Sequence, residues 1–233
     1  MGCFCEQIAP KDHWFSRVCI GNLWIFENLN PVELESLALA AKRKMLSSSE
    51  AIFYQGDNAD SIILIKSGRV KLSKVLENGV EVILDYRKAG DFIGENMLSE
   101  ESDYPVTAWC MEQTLTCGFT RKKFESIVLE HPNIGLQVIK NLSRRISILS
   151  DHVGNMAFSN LEKRLYRVLV NIAREHGEKE ATGFTIRFPL THEELSFLVG
   201  AHRVSITRAL KSLKESGKVG GKGQNLFIPL LTA

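Results

Sequence analysis

Leu190-Thr191-His192-Glu193-Glu194-Leu195-Ser196-Phe197-Leu198-Val199-Gly200-Ala201-His202-Arg203-Val204-Ser205-Ile206-Thr207-Arg208-Ala209-Leu210-Lys211-Ser212-Leu213 is the segment that makes sense of the rest of the chain. Thr191 followed three residues later by Glu194 is a capping-box pattern, in which side chains satisfy the first backbone donors of a helix. Leu195, Leu198 and Val199 then give a short helix one apolar face. Gly200 ends it, since a residue without a β-carbon takes the positive φ that a tight reversal needs. Ile206, Leu210 and Leu213 recur at helical spacing and pack a second helix inward, which turns Arg203, Ser205, Thr207 and Arg208 elsewhere. Those side chains suit DNA: Arg makes paired bonds to guanine, and Ser or Thr bond base edges or phosphates. The pattern is a helix-turn-helix; spacing alone leaves open a plain helical hairpin with a solvated basic face.

Charge supports the first reading. Residues 157–233 carry 12 Lys/Arg against 7 Asp/Glu, whereas residues 1–156 carry 17 against 20, so the net +2 of the chain conceals a basic C-terminal part. With 233 residues and 44% hydrophobic content there is material for a sizeable core in one or two domains. No apolar run reaches the length of a membrane span, and the N-terminus lacks the basic-then-apolar order of a signal peptide, so a cytoplasmic protein is expected, without a membrane partner. Cys3, Cys5, Cys19, Cys110 and Cys117 are odd in number and unevenly spread, which argues against a secreted disulfide framework.

Upstream, Asn30-Pro31 opens a short helix with an apolar stripe of Val32, Leu34, Leu37 and Leu39. From Ser49 to about Thr120, short β-rich runs are punctuated by Gly56, Gly68, Gly79 and Gly90, a spacing that predicts an antiparallel sandwich or barrel. Asn78-Gly79, between Val70–Leu76 and Val80–Tyr86, predicts a hairpin with a type I′ turn. After His131-Pro132, Ile139, Leu142, Ile146, Leu149, Val153 and Met156 alternate steps of three and four, the seam of a coiled coil between two copies. Ser159 and Glu162 form a second capping-box pattern, which puts a helix break and a hinge at Phe158–Asn160. Leu161–His176 follows as a helix, Thr185–Pro189 as a strand, and Gly217 to Pro229 as a glycine-rich wing. No cupin-like His pair, phosphate loop or nucleophile elbow is present, so an enzyme on a β-barrel is a remote alternative, and no catalytic or metal-ligating residue is assigned.

Taken together, the chain resembles the CRP/FNR family of bacterial transcription regulators from about residue 24 to its end. The resemblance rests on Gly56-Asp57, Ser67-Gly68-Arg69-Val70, Ala89-Gly90-Asp91-Phe92-Ile93-Gly94-Glu95, Val153-Gly154-Asn155-Met156-Ala157-Phe158 and the helix-turn-helix, in that order. It implies an α+β fold: an N-terminal antiparallel β-roll like a cyclic-nucleotide-binding jelly roll, a long dimerisation helix and a C-terminal winged helix-turn-helix. The corresponding division is an arm at 1–28, a sensing roll at 29–131, the dimerisation helix at 132–158 and the DNA-binding domain at 159–233. Base reading is implied for Arg203, Val204 and Arg208, to which Ser205 is added. Thr191, His202, Thr207 and Lys211 are expected to meet phosphates. Family members commonly carry Glu at the position of Val204; Val offers only apolar contact, most naturally to a thymine methyl, so a departure in the half-site is expected there.

The resemblance also bears on the effector. Cyclic-nucleotide sensors of the family carry an Arg-Ser pair after Gly-Glu; here Gly94-Glu95 is followed by Val106-Thr107, with no Arg or Lys between Glu95 and Trp109. Cyclic AMP is therefore not the expected effector. Within the family the chain is similar to the halorespiration branch, on the Phe4-Cys5 start, the Glu112–Phe119 run and the His202–Arg208 helix, which implies an aromatic acid or halophenol. Tyr86, Gly94, Glu95, Trp109, Leu142 and Arg145 are the candidate effector residues. Arg145 would serve as the cation and Tyr86 and Trp109 as aromatic walls, while Glu95 would repel a phenolate. No cofactor is expected; an iron–sulfur cluster or a redox switch using Cys3, Cys5, Cys19 and Cys117 is kept as the alternative, although their spacing departs from the family's cluster arrangement. The expected partners are double-stranded palindromic DNA, a second copy, a small effector and, for an activator, RNA polymerase, met by the loop around Glu178–Gly183. A regulatory binding module without DNA activity is the remaining rival.

Overall fold

The computed structural model describes residues 23, 26, 28–99, 103–156, 160–221 and 225–230. The chain divides into two compact units, Met1–Arg145 and Ile146–Ala233, with the boundary inside the longest helix.

In the first unit Asn30 caps helix α1 (Pro31–Ala40): its side chain accepts from Glu33 N at 3.0 Å, and Glu33 Oε2 accepts from Asn30 N at 2.8 Å. The expected stripe is only partly the buried one. Leu37 is buried and Leu34 packs on the core, but Val32 and Leu39 are exposed, and Ala38 takes the inner face instead. At about 100° per residue, Val32 and Leu39 point away from Leu34 and Leu37.

Eight strands follow: β1 (Lys42–Leu46), β2 (Ala51–Phe53), β3 (Ser61–Ser67), β4 (Arg69–Val75), β5 (Glu81–Lys88), β6 (Phe92–Ile93), β7 (Thr107–Cys110) and β8 (Thr114–Thr120). They form two antiparallel four-stranded sheets in the orders β1-β8-β3-β6 and β2-β7-β4-β5, the expected roll. Gly56, Gly68, Gly79 and Gly90 all have positive φ. At Gly68 the requirement is also spatial, since a Cβ would lie 2.5 Å from Thr114 Oγ1. The β4–β5 hairpin exists, but its turn differs from the expectation. Gly79 N donates to Leu76 O and Leu76 N to Val80 O, and Asn78 does not have positive φ. The connection is thus a three-residue loop closed by a left-handed Gly79.

The core between the sheets includes Ile62, Leu64, Leu72, Phe92, Ala108 and Phe119, and is closed by α2 (Arg121–Glu130) through Phe124 and Ile127. Helix α3 (Pro132–Met156) adds Ile134 and Val138. The same helix leaves Ile139, Ile146, Leu149 and Val153 exposed, with Leu142 half-buried against the core; the Met156 side chain lies outside the described residues.

In the second unit Asn160 caps α4 (Leu161–His176), its side chain accepting from Lys163 N at 3.0 Å. The cap is therefore one residue later than the Ser159–Glu162 pattern suggests; Ser159 and Phe158 lie outside the described residues, and so does most of the expected hinge. A small sheet of order β11-β10-β9 joins β9 (Glu178–Glu180), β10 (Gly183–Ile186) and β11 (Leu226–Pro229). Strand β10 begins and ends earlier than Thr185–Pro189, because Ile186, opposite Leu226, is the last residue with a cross-strand partner. The wing is present as β11, extended by a bridge from Gly220 to Phe227. Among the described residues no helix is long and apolar enough to cross a membrane.

Candidate nucleic-acid interface and sensing roll

The two helices of the opening motif form as expected. Helix α5 (His192–Val199) carries the full capping box, with Thr191 Oγ1 accepting from Glu194 N at 3.1 Å and Glu194 Oε2 from Thr191 N at 2.8 Å. Gly200 closes it at φ 64°, in the left-handed region. Helix α6 (Arg203–Glu215) starts behind His202, whose ring accepts from Val204 N, and packs on α4 and α5 through Ile206, Ala209, Leu210 and Leu213.

The opposite face carries Arg203, Val204, Thr207, Arg208 and Lys211, all exposed. Three expected contacts have other engagements. The Thr207 hydroxyl donates to Arg203 O at 3.1 Å and meets His192 Nδ1 at 2.9 Å, which ties the start of α6 to α5. Lys211 stands 3.8 Å from Glu215, an exposed pair of small energetic weight. Ser205 is half-buried and lines a cleft of about 410 Å³ with Asn160, Leu161, Glu162, Arg208 and Ala209. His192 was not legible as part of this face, because its link to Thr207 spans 15 residues and no short pattern announces it.

In the roll, strand register decides which side chains reach the interior. Trp109, Lys71 and Tyr86 are directly opposite one another across β7, β4 and β5, and so share a face; Cys110, Val70 and Arg87 share the other. Val70 belongs to the core. Tyr86 and Trp109 therefore face away from the roll interior and do not form its walls: Tyr86 is nevertheless buried, and Trp109 is half-buried with its ring edge-to-face with the exposed Tyr54 at 5.7 Å.

The interior holds charge instead. Asp91, fully buried, accepts from Lys88 N at 3.0 Å, pairs with Arg144 at 2.6 Å, and makes a short contact with Arg145. Arg145 is 3% exposed, so it is not a solvated rim residue, and it is already engaged by carboxylates of the chain itself. It also stands 3.6 Å from Asp85. Burial, then the neighbouring Arg87, pull its pKa below the usual guanidinium value. Arg87, absent from the expected set, lies 2.9 Å from Asp85 and 3.4 Å from Glu95, and its Nη1 donates to Phe92 O at 3.2 Å. Glu95 thus has a cation after all, delivered by β5 and not by the segment after it. Removing such charges from water costs several kcal/mol per ion unless they are paired, which is why these arginines and carboxylates sit together. Gly94, at φ 77°, starts the short 3-10 turn Glu95–Leu98; a Cβ there would lie 2.7 Å from Ser61 O.

Cys117 is 2% exposed within the core, opposite Leu64, and burial raises the pKa of Cys110. A thiol packed this way behaves as a small apolar residue. Cys3, Cys5 and Cys19 lie outside the described residues.

An antiparallel sensing roll, a long helix and a winged helix-turn-helix with an outward basic face define a sensor joined to a DNA-binding head. Comparison with known proteins agrees. The cyclic nucleotide-binding domain matches residues 43–131, and the Crp-like helix-turn-helix domain matches residues 163–232. The cAMP-activated global transcriptional regulator CRP of Salmonella typhimurium is 29% identical over 184 residues, covering 78% of this chain and 86% of that protein. The CRP-like cAMP-activated global transcriptional regulator of Mycobacterium tuberculosis H37Rv is 23% identical over 204 residues, covering 88% and 91%. Among solved structures, the c-di-GMP responsive regulator CLP of Xanthomonas campestris superposes with a TM-score of 0.73 at 21% identity, over 86% of this chain and 100% of that one. CprK in complex with OCPA gives 0.65 at 22%, over 84% and 90%. The chain belongs to the CRP/FNR family of DNA-binding transcription regulators.

Proposed function

We propose that the protein is a homodimeric, effector-responsive regulator that binds a palindromic operator through α6 and answers to a small organic molecule other than cyclic AMP. The observation that carries this reading is the division of α6: its apolar side chains are spent on the core, while Arg203, Val204 and Arg208 remain exposed. Arg203 and Arg208 would read guanines, and Val204 a thymine methyl. Thr191, His202, Thr207 and Lys211 would lie along the phosphates, Thr207 with a hydroxyl already engaged by His192. Exposed Ile139, Ile146, Leu149 and Val153 support a two-copy seam, since burying each apolar side chain contributes about 1.5–3 kcal/mol. Two recognition helices would then meet successive major grooves about 34 Å apart. In an activator, the β9–β10 hairpin around Glu178–Gly183, exposed from Glu178 to Thr182, would face the polymerase.

Val106-Thr107 in place of Arg-Ser, together with Arg87 on Glu95, supports an effector other than cyclic AMP, in contrast to the cAMP-activated relatives. Aromatic acids and halophenols are the first candidates. Operator selection followed by fluorescence anisotropy, with sedimentation of the free protein, tests the reading. A dimer that selects an inverted repeat and tightens with such a compound is expected; a monomer without sequence preference, or a response to cyclic AMP alone, overturns it.

A further inference from the structure

Two guanidiniums meet inside the roll and draw on one shared acceptor. Arg87 and Arg145 are 5% and 3% exposed and share one oxygen, Asp85 Oδ2, at 2.9 and 3.6 Å. The Arg145 Nε–H lacks a hydrogen-bond partner, Arg87 Nε has only its ion pair with Asp85, and Asn141 Oδ1, fully buried one helical turn before Arg145, also lacks a hydrogen-bond partner. Buried polar groups are nearly always satisfied, so the two unpartnered groups of α3, facing Arg87 across Asp85, point to a bound species. The three carboxylates of the cluster differ in how firmly they are held. Asp91 is fully buried and Asp85 13% exposed at the side chain, whereas Glu95 is 31% exposed and makes the looser 3.4 Å contact through Arg87 Nη2.

We propose that the roll interior is a carboxylate site in which Arg87 and Arg145 take the acid group of the effector, and that Glu95 holds that place on Arg87 when no effector is bound. The proposal deepens the effector reading above and rests on it. Exchange of Glu95 for an external carboxylate leaves the charge of the cluster unchanged, so it avoids the penalty of adding an uncompensated ion to a buried site. Burial, then the nearby Arg87, depress the Arg145 pKa, against the pull of Asp85 and Asp91. A hydroxyl on the ligand would donate to Asn141 Oδ1. Arg87 comes from β5, outside the Glu95–Trp109 segment in which a family cation would be sought.

The test is chemical rescue in the full chain, with acetate and propionate as probes and sodium chloride at equal ionic strength as control. Glu95→Ala should lower the thermal midpoint by about 5 °C, and acetate or propionate should restore it along a saturating curve. The wild type should need roughly tenfold more acid, because Glu95 competes. Arg87→Leu/Glu95→Ala should not respond. Should Glu95→Ala not fold, Glu95→Gln keeps the shape without the charge and is titrated calorimetrically with propionate. No difference between carboxylate and chloride, or equal rescue without Arg87, overturns the proposal. Operator binding measured in parallel separates the two readings: intact DNA binding with no carboxylate effect sinks this inference alone, whereas rescue in a protein that binds no DNA supports the site and sinks the regulator.

Discussion

The arginines of the roll and those of the recognition helix are chemically identical and do opposite work. Arg87 and Arg145 lie buried against Asp85, Asp91 and Glu95, so in the free protein their charges are paired internally. Arg203 and Arg208 stand exposed on α6. An arginine without an internal acceptor keeps its fork of donors for a partner, whereas a buried one is held to a fixed geometry by the cost of leaving it unpaired. Stability should therefore be sensitive to the first pair and DNA affinity to the second.

The largest effect sharpens that contrast. Asp91→Asn removes the anion that Arg144 and Arg145 share, and should cost about 3–5 kcal/mol of folding stability in urea titrations. Arg208→Ala should cost under about 0.5 kcal/mol in the same assay, as befits an exposed position. A loss below about 1 kcal/mol for Asp91→Asn would mean that the buried network is not holding the roll to α3. Next in size, Ile146→Lys puts two like charges into the proposed seam at a side chain that is 64% exposed in the single chain. The dimer dissociation constant should rise about 100-fold, some 2–4 kcal/mol, by sedimentation across a concentration series. An unchanged dimer would place the interface elsewhere.

How much of this contrast the sequence reveals follows from the range over which each feature is built. The reading head is local: Thr191 with Glu194, Gly200, and the 206/210/213 spacing lie within 24 residues, and all of them appear in the structure. The glycines that turn the roll are likewise single-residue signals, confirmed by positive φ. The charge cluster is not local. Its members come from β5, the turn before β6, the 3-10 turn and α3, so nothing short of the assembled roll pairs Arg87 with Glu95 or Arg145 with Asp91. Which side of a strand faces inward also depends on register, and opposite Leu72 and Ser73 the pairing skips Leu84, which interrupts the alternation on β5. Tyr86 and Trp109 read as interior walls because their rings suit an aromatic ligand, whereas their shared register with Lys71 puts them on the outer face. The Asn78-Gly79 signal located a turn correctly but could not distinguish a two-residue from a three-residue loop.

Smaller effects are confined to DNA. Arg208→Ala should weaken operator binding roughly 10- to 100-fold, about 1–3 kcal/mol, at one fixed salt concentration and relax the preference at a single base pair. Val204→Glu should leave affinity for the best site nearly unchanged but redirect the half-site from a thymine to a cytosine contact, read by selection on both proteins. An identical preference in the two would remove Val204 from the reading face.

The smallest effect belongs to Lys211, and it tests where the reading face ends. Lys211 lies 3.8 Å from Glu215, with the two side chains 77% and 66% exposed, so the pair adds little to folding. If Lys211 meets a phosphate, Lys211→Ala should reduce the slope of log affinity against log salt by about 1 and weaken all sequences alike. Glu215 competes for the same ammonium and adds a repulsive charge near the duplex, so Glu215→Gln should move affinity slightly the other way. The two changes together should show less than their sum, since residues in contact do not act independently. Equal salt slopes for wild type and Lys211→Ala would end the interface at Arg208, one turn of α6 earlier, and leave Lys211 as a solvated partner of Glu215.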